Sequence, residues 1–306
     1  MEKLPRIIAL IGPTAVGKSD LAVEIALQLK KSGVDAEIVS ADSRQVYTGL
    51  DLGTGKITTS EMRGIPHHLL DVANPKETYT ASDFTRDGRM AIEEIVQRSA
   101  VPIVCGGSGF YIDSLIGLAS IPDVPRNPKL RKSLEEITIE ELYSMIQQKD
   151  PDRASTIDKH NRPRLIRAIE IIEHSGKVPA ATPSPIYNVT YIGLTLPHEI
   201  LKERIILRLK KRMEAGILDE IRDLHENGLS YERMEELGLE YRYGALLLQE
   251  KIILEEFNER LVNEISNYAK RQMTWFKRNK LITWLTANEI DQKTVDNLLQ
   301  RLTENE

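Results

Sequence analysis

The order of apolar and polar positions predicts alternating strands and helices from the first residues onward. Arg6-Ile7-Ile8-Ala9-Leu10-Ile11 is a short apolar, β-branched run that reads as a buried strand. Leu21, Ala22, Ile25, Ala26 and Leu29 then recur at helical spacing, Gly33 ends that helix, and Ala36-Glu37-Ile38-Val39-Ser40 reads as a second strand. An amphipathic helix over 84–96 leads to a further buried strand over 101–105. After Leu118 the pattern changes. Residues 121–128, with three prolines, read as a linker, and the chain beyond them is helical with no strong strand before Tyr187. There Thr138 and Glu141 form a capping box that opens a helix over 139–148. Further on, Arg164, Arg167 and Ile171 share one helical face, with Leu165, Ala168, Ile169 and Ile172 on the other. Turn chemistry over 179–185 closes the segment.

Strand character returns over 189–194. A long helix comes next, broken at Gly216, on which Arg204, Arg208 and Lys211 share a face that reads as a solvated basic stripe. The last long helix, over 254–279, carries Phe257, Leu261, Ile265, Tyr268 and Trp275 on one side. Lys270, Arg271, Thr274, Lys277 and Arg278 lie nearly opposite. A final strand is expected over 281–285, and the tail beyond Leu302 is expected to fray. The pattern as a whole predicts an α/β fold with a parallel sheet core flanked by helices. Residues 1–119 and 187–306 form the core, and 120–186 form a helical insertion.

Between the first strand and its helix stands Gly12-Pro13-Thr14-Ala15-Val16-Gly17-Lys18-Ser19, which fits the phosphate-binding pattern G-x-x-x-x-G-K-[ST] at every fixed position. The physical logic is direct. Glycines let successive backbone N–H groups converge on an anion, the helix N-terminus adds partial positive charge, Lys18 adds a full one, and the Ser19 hydroxyl reaches Mg²⁺. A compound with a diphosphate binds here, and the core is P-loop NTPase-like. The same cradle serves kinases, NTPases and other transferases, so the loop alone does not choose among them.

Asp42 stands just after the second strand, where parallel sheets place their chemistry. A carboxylate there acts as a general base or holds metal-bound water; an Asx-turn aspartate is the plainer alternative. Gly106-Gly107-Ser108-Gly109-Phe110-Tyr111 ends the strand over 101–105, and its glycines allow close backbone approach to a ligand while Ser108 offers a hydroxyl. His67 and His68 with Asp71 invite a metal reading but lack the spacing of a usual zinc site, and are expected to hold loop geometry instead.

Composition narrows the partners. The chain has 306 residues, 41% hydrophobic and 28% charged, with a net charge of −5, so nucleic-acid affinity has to come from local patches such as the Lys270, Arg271, Lys277 and Arg278 face. One cysteine, Cys105, excludes a disulfide framework and suits a reducing, cytoplasmic setting. The N-terminal apolar run is too short for a signal peptide or membrane span, so no membrane partner is expected. Nothing reads as a dimer seam, which leaves a monomer as the expectation.

Taken together, the stretches 12–19, 40–47, 106–111 and 268–276 resemble the bacterial tRNA dimethylallyltransferase family, with support from 51–56, 66–71 and 150–168. The match spans essentially the whole chain. The resemblance implies transfer of a dimethylallyl group from dimethylallyl diphosphate to N6 of the tRNA adenosine immediately 3′ of the anticodon. It implies that residues 12–19 with Mg²⁺ hold the diphosphate, that Arg208 stabilises the charge developing on it, that Ser108 hydrogen-bonds nearby and that Asp42 accepts the N6 proton. Asp42, Ser43, Arg44 and Gln45 would read the extruded adenine, an extrusion that costs of order a few kcal/mol. Arg131, Pro163, Arg164, Leu165, Ile166 and Arg167 in the insertion, with Lys270, Arg271, Lys277 and Arg278, would grip the anticodon stem-loop.

The chain departs from the family pattern at Ser108, where Thr is usual, at Arg162, where Asp is frequent, and at Gly238-Leu239-Glu240-Tyr241, where many members have Gly-Tyr-Lys-Glu. Three other functions share the core motifs: prenyl transfer to free adenine nucleotides, small-molecule phosphorylation, and a non-enzymatic RNA-binding NTPase.

Overall fold

A computed structural model of the chain describes residues 4–180, 183–291 and 294–297. The chain divides into two compact units, Met1–Gly117 with Pro185–Glu306, and Leu118–Ser184. The larger unit begins with β1 (Arg6–Ile11), α1 (Lys18–Lys31), β2 (Ala36–Ala41), the single-turn α2 (Thr59–Met62), β3 (His67–His68), α3 (Ala81–Gln97), β4 (Val101–Gly106) and α4 (Gly109–Leu115). The smaller unit is helical, with α5 (Pro128–Glu135), α6 (Ile139–Lys149), α7 (Pro151–Thr156) and α8 (Arg162–Ser175). The chain then returns through β5 (Asn188–Thr195), α9 (His198–Glu214), α10 (Ile217–Glu226), α11 (Tyr231–Leu237), α12 (Leu239–Leu248), α13 (Leu254–Phe276) and β6 (Thr283–Thr286).

The six strands form one parallel sheet in the order β3-β2-β4-β1-β5-β6. Strand β1 lies inside it, with Ile7 through Ile11 all buried, as expected of a strand covered on both faces. Its register is what builds the site. Ile11 stands opposite Gly106 of β4 and Gly193 of β5, and Ala41 of β2 also stands opposite Gly106, so the carboxyl ends of β1, β2 and β4 are level. A Cβ on Gly106 would sit 2.1 Å from the Ala41 carbonyl oxygen, so only glycine allows this approach. The turns that leave β1, β2 and β4 therefore emerge side by side, as in other parallel sheets that bind ligands at this edge.

Several boundaries differ from the sequence pattern for identifiable reasons. Helix α3 starts three residues before Phe84 because Thr80 and Asp83 form a capping box, a polar signal that periodicity ignores. Helix α13 ends at Phe276, so Lys277 is its C-cap and Arg278 lies beyond it. Strand β3 is only His67 and His68, too short and too polar to register as an apolar run; it pairs with Ile38 and Val39 at the sheet edge. The last strand starts two residues later than expected. Residues 181 and 182 of the closing turn, and the tail beyond Leu302, lie outside the described residues.

Candidate active site

The loop over 12–19 is shaped by its glycines. Gly12 has φ +149°, and a Cβ there would come within 2.5 Å of the Leu194 carbonyl oxygen; Gly17 has φ +100° and caps α1. Val16 is wholly buried in the core, so it contributes backbone alone to any anion site. Lys18 Nζ donates to the Pro13 carbonyl at 2.7 Å, Arg208 Nη2 on α9 donates to the Thr14 hydroxyl at 2.7 Å, and the Thr14 N–H donates to Gln272 Oε1 on α13 at 2.8 Å. Two members of the basic stripe on α9 thus turn to the loop, with Arg208 on Thr14 and Arg204 Nη1 donating to the Val16 carbonyl at 3.1 Å, while Lys211 is exposed as expected.

Asp42 sits just past β2. Its Oδ1 accepts the N–H groups of Arg44 at 2.8 Å and Gln45 at 3.3 Å, so the aspartate does hold an Asx-type turn. It also faces a cavity of about 290 Å³ together with Thr14, Gly17, Lys18, Ser19, Gln45 and Arg208. Alternation along β2 explains the placement, since Ile38, Ser40 and Asp42 point to one face and all three line the cavity. Ser108 does not line it. Its Oγ accepts the Ser43 N–H at 3.2 Å, so the hydroxyl braces the turn that follows Asp42.

The charges in this cavity are perturbed. Lys18 is half-buried, and loss of water around it lowers its pKa to about 8, with Arg208 adding to the fall and Cys105 and Asp42 opposing it. Burial lowers Arg208 to about 9, with Arg212 next in effect, while Glu240 and Asp42 pull it up. Both remain cations at neutral pH. Burial pushes the Cys105 thiol up to about 11, which makes it inert. Such shifts from desolvation and specific neighbours are usual where an enzyme binds charged substrate.

A second cavity of about 300 Å³ shares Thr14, Asp42, Thr54 and Arg208 with the first, and adds Ser43, Arg44, Arg212, Glu240, Tyr268 and Arg271. Its floor is built by the stretch in which this chain departs from the family pattern. Glu240 pairs with Arg212 at 3.0 Å, both buried, and Arg212 Nη1 also donates to the Gly53 carbonyl at 3.1 Å. The Tyr241 hydroxyl donates to Glu220 Oε1 at 2.9 Å, and Glu220 accepts the N–H groups of Asp51, Leu52 and Gly53. The sequence assigns no role to Glu220 or to Gln272, although Gln272 falls in the stretch 268–276 that carries the resemblance. Glu220 carries no signal beyond an acidic residue in the first turn of α10, whereas Gln272 is a polar residue on the inward stripe of Ile265, Ala269 and Phe276.

The histidines take structural partners. His68 Nε2 lies 2.6 Å from Glu37 Oε2, His67 Nδ1 lies 2.8 Å from the Ile65 carbonyl, and Asp71 pairs with Lys56 at 2.5 Å. Among the described residues no group of three or more His, Cys, Asp or Glu side chains could hold a metal ion.

In the smaller unit, Pro163 and Arg164 are exposed on the first turn of α8. Leu165 and Ile166 are in its core, so their side chains cannot form a contact surface; they place the helix instead. Ile171, expected on the arginine face, is buried as well. Arg131 and Arg167 both engage the buried carboxylate of Glu170, and Arg167 also donates to the Val124 carbonyl at 2.9 Å. Lys270, Arg271, Lys277 and Arg278 are exposed in the larger unit, the first two on α13 and the other two at and beyond its C-cap. Arg271 pairs with Glu264 at 3.0 Å, and Arg278 lies over the Trp275 ring and 3.6 Å from Asp113.

A parallel sheet whose first strand feeds a loop of the phosphate-binding pattern, with a carboxylate and two cations around one cavity, defines the class as a P-loop-like α/β protein. Residues 45–279 match the model of the IPP transferase family. The chain is 43% identical to tRNA dimethylallyltransferase 2 of Treponema denticola, covering 89% of this chain and 91% of that one. It is 38% identical to tRNA dimethylallyltransferase 1 of Syntrophus aciditrophicus, covering 94% and 96%. Among solved structures, the full-length tRNA isopentenylpyrophosphate transferase of Bacillus halodurans superposes with a TM-score of 0.74 at 32% identity, covering 99% of this chain and 96% of that one. A eukaryotic dimethylallyltransferase acting on tRNA superposes with a TM-score of 0.82 at 26% identity, covering 98% and 79%. The chain belongs to the IPP transferase family of prenyltransferases.

Proposed function

We propose that this chain transfers the dimethylallyl group of dimethylallyl diphosphate to N6 of the adenosine immediately 3′ of the anticodon in tRNA. The observation that carries the reading is the meeting of two cavities at Thr14, Asp42, Thr54 and Arg208, one lined by the phosphate loop and the other by the Asp42 turn and Tyr268. The names of the related proteins support the same substrates.

In this mechanism the C1–O bond of the allylic diphosphate breaks as the N6–C1 bond forms. Lys18 and Arg208 stabilise the charge that collects on the departing diphosphate, in the preorganised manner that contributes most in enzyme sites. The turn engages Oδ1 of Asp42, and the other carboxylate oxygen takes the proton that N6 loses. The apolar side chains of Ile38, Ile57 and Leu70 line the same cavity and keep water from the allylic centre. Magnesium fits this donor set: Ser19 is exposed at the cavity and supplies one hard oxygen, and Mg²⁺ is commonly held by one or two protein oxygens with substrate phosphates and waters. When bound it supplies positive charge to the diphosphate.

We assign the RNA to exposed residues of both units, Pro163 and the cation Arg164 on the smaller and the basic group Lys270, Arg271, Lys277 and Arg278 on the larger. Competition between an anticodon stem-loop and AMP for labelled dimethylallyl diphosphate tests the acceptor. Label in the stem-loop is expected; label in AMP assigns the chain to free nucleotides, and phosphate transfer from ATP without consumption of the diphosphate assigns it to the kinases.

A further inference from the structure

Gln272 lies on α13 and is only 6% exposed, a buried amide in a stripe otherwise made of Ile265, Ala269 and Phe276. Both ends of the amide are used. Oε1 accepts the Thr14 N–H at 2.8 Å, and Nε2 donates to the Gly107 carbonyl at 3.0 Å. A backbone N–H only donates and a carbonyl only accepts, so the amide has one workable orientation. Gly107 makes the room for it, since a Cβ there would stand 2.2 Å from Nε2. Thr14 is then held at two points, its N–H by Gln272 and its hydroxyl by Arg208 Nη2 at 2.7 Å. One turn earlier, Tyr268 reaches both Ser108 and Gln272, and Ser108 in turn holds the Ser43 N–H.

We propose that Gln272 is a positioning residue: by fixing Thr14 against the exit of β4, it sets the place of the Arg208 guanidinium in the diphosphate site. The inference rests on the reading that residues 12–19 hold the diphosphate. It goes beyond that reading by giving the inner face of α13 a role in leaving-group chemistry, distinct from the outward Lys270 and Arg271 one or two residues away.

The test is a double-mutant cycle of Gln272→Met and Arg208→Ala, read as the Kd of inorganic diphosphate by calorimetry and as kcat/KM for dimethylallyl diphosphate. Gln272→Met is expected to weaken both by about tenfold in the wild-type background and by less than about twofold when Arg208 is already Ala, because residues that act through one another are not additive. The tRNA Kd should stay within about twofold. Additive losses, or tRNA binding weakened as much as diphosphate binding, would overturn the proposal in favour of plain packing. Gln272→Leu provides the same test should the methionine variant not fold: it is neutral, similar in size and removes both hydrogen bonds, so a comparable, still non-additive loss is expected. The diphosphate cycle does not depend on prenyl transfer, so a protein that binds diphosphate non-additively yet transfers nothing would sink the proposed function and leave this inference standing.

Discussion

Arg208 donates from Nη2 to the hydroxyl of Thr14 at 2.7 Å, which places a cation on α9 against the phosphate loop of β1 across 194 residues of sequence. If that cation serves the leaving diphosphate, Arg208→Ala lowers kcat by roughly 10²–10³, the usual effect of removing one preorganised charge donor. The tRNA Kd, measured by filter binding, should hardly change. Equal losses in both would make Arg208 an RNA contact.

The lowered pKa of Lys18 predicts a pH dependence. Its folded value is about 8 against an ordinary 10.5, so the free loop loses this charge as pH rises through 8. Inorganic diphosphate should therefore bind progressively more weakly above pH 8 than its own ionisation accounts for, whereas Lys18→Arg should lack the fall that begins near pH 8 and keep only the ligand's ionisation and the later loss of the Arg208 charge near pH 9. The stability linkage has the matching sign. The folded state holds fewer protons than the unfolded one between pH 8 and 10.5, so the charged-lysine penalty, full below pH 8, is relieved as pH rises through that window. Parallel pH profiles for the two proteins would contradict the account.

Neutralising Lys270 and Lys277 together should weaken tRNA binding and flatten its salt dependence by about 0.7 in log–log slope for each single-strand phosphate that the variant no longer neutralises. Neutralising Arg271 and Arg278 should flatten it less, because Glu264 and Asp113 already stand beside them. Binding titrations across a salt series decide this, and an unchanged slope returns the helix to a solvated charge run.

Glu240→Ala should cost about 3–5 kcal/mol, because it leaves the buried Arg212 guanidinium without its carboxylate. Denaturant unfolding measures the loss. A cost within experimental error of zero would show that water or a neighbour takes over the pairing.

What the sequence made legible is what depends on neighbours along the chain. The alternation of strands and helices, the loop over 12–19 and the position of Asp42 all come from local pattern, and Asp42 proved to be both a turn residue and a lining residue of the cavity. What it hid depends on partners far away. Gln272 meets Thr14 across 258 positions and Glu220 meets Leu52 across 168, distances at which a single sequence carries no signal. Helical spacing misled where a face turned inward: Ile171 shares a stripe with Arg164 and Arg167, yet it is buried.

Asp42→Asn gives the most direct test of the account, because the amide oxygen can still hold the turn through Arg44 and Gln45 while the side chain can no longer take a proton. Wild type and variant are incubated with unmodified tRNA, Mg²⁺ and dimethylallyl diphosphate, and the digested nucleosides are analysed by mass. The account predicts N6-dimethylallyladenosine 3′ of the anticodon with wild type, and formation slowed by roughly 10²–10⁴ with Asp42→Asn at nearly unchanged tRNA affinity. Equal rates for the two proteins, or no modified adenosine with wild type while the diphosphate stays intact, would contradict it.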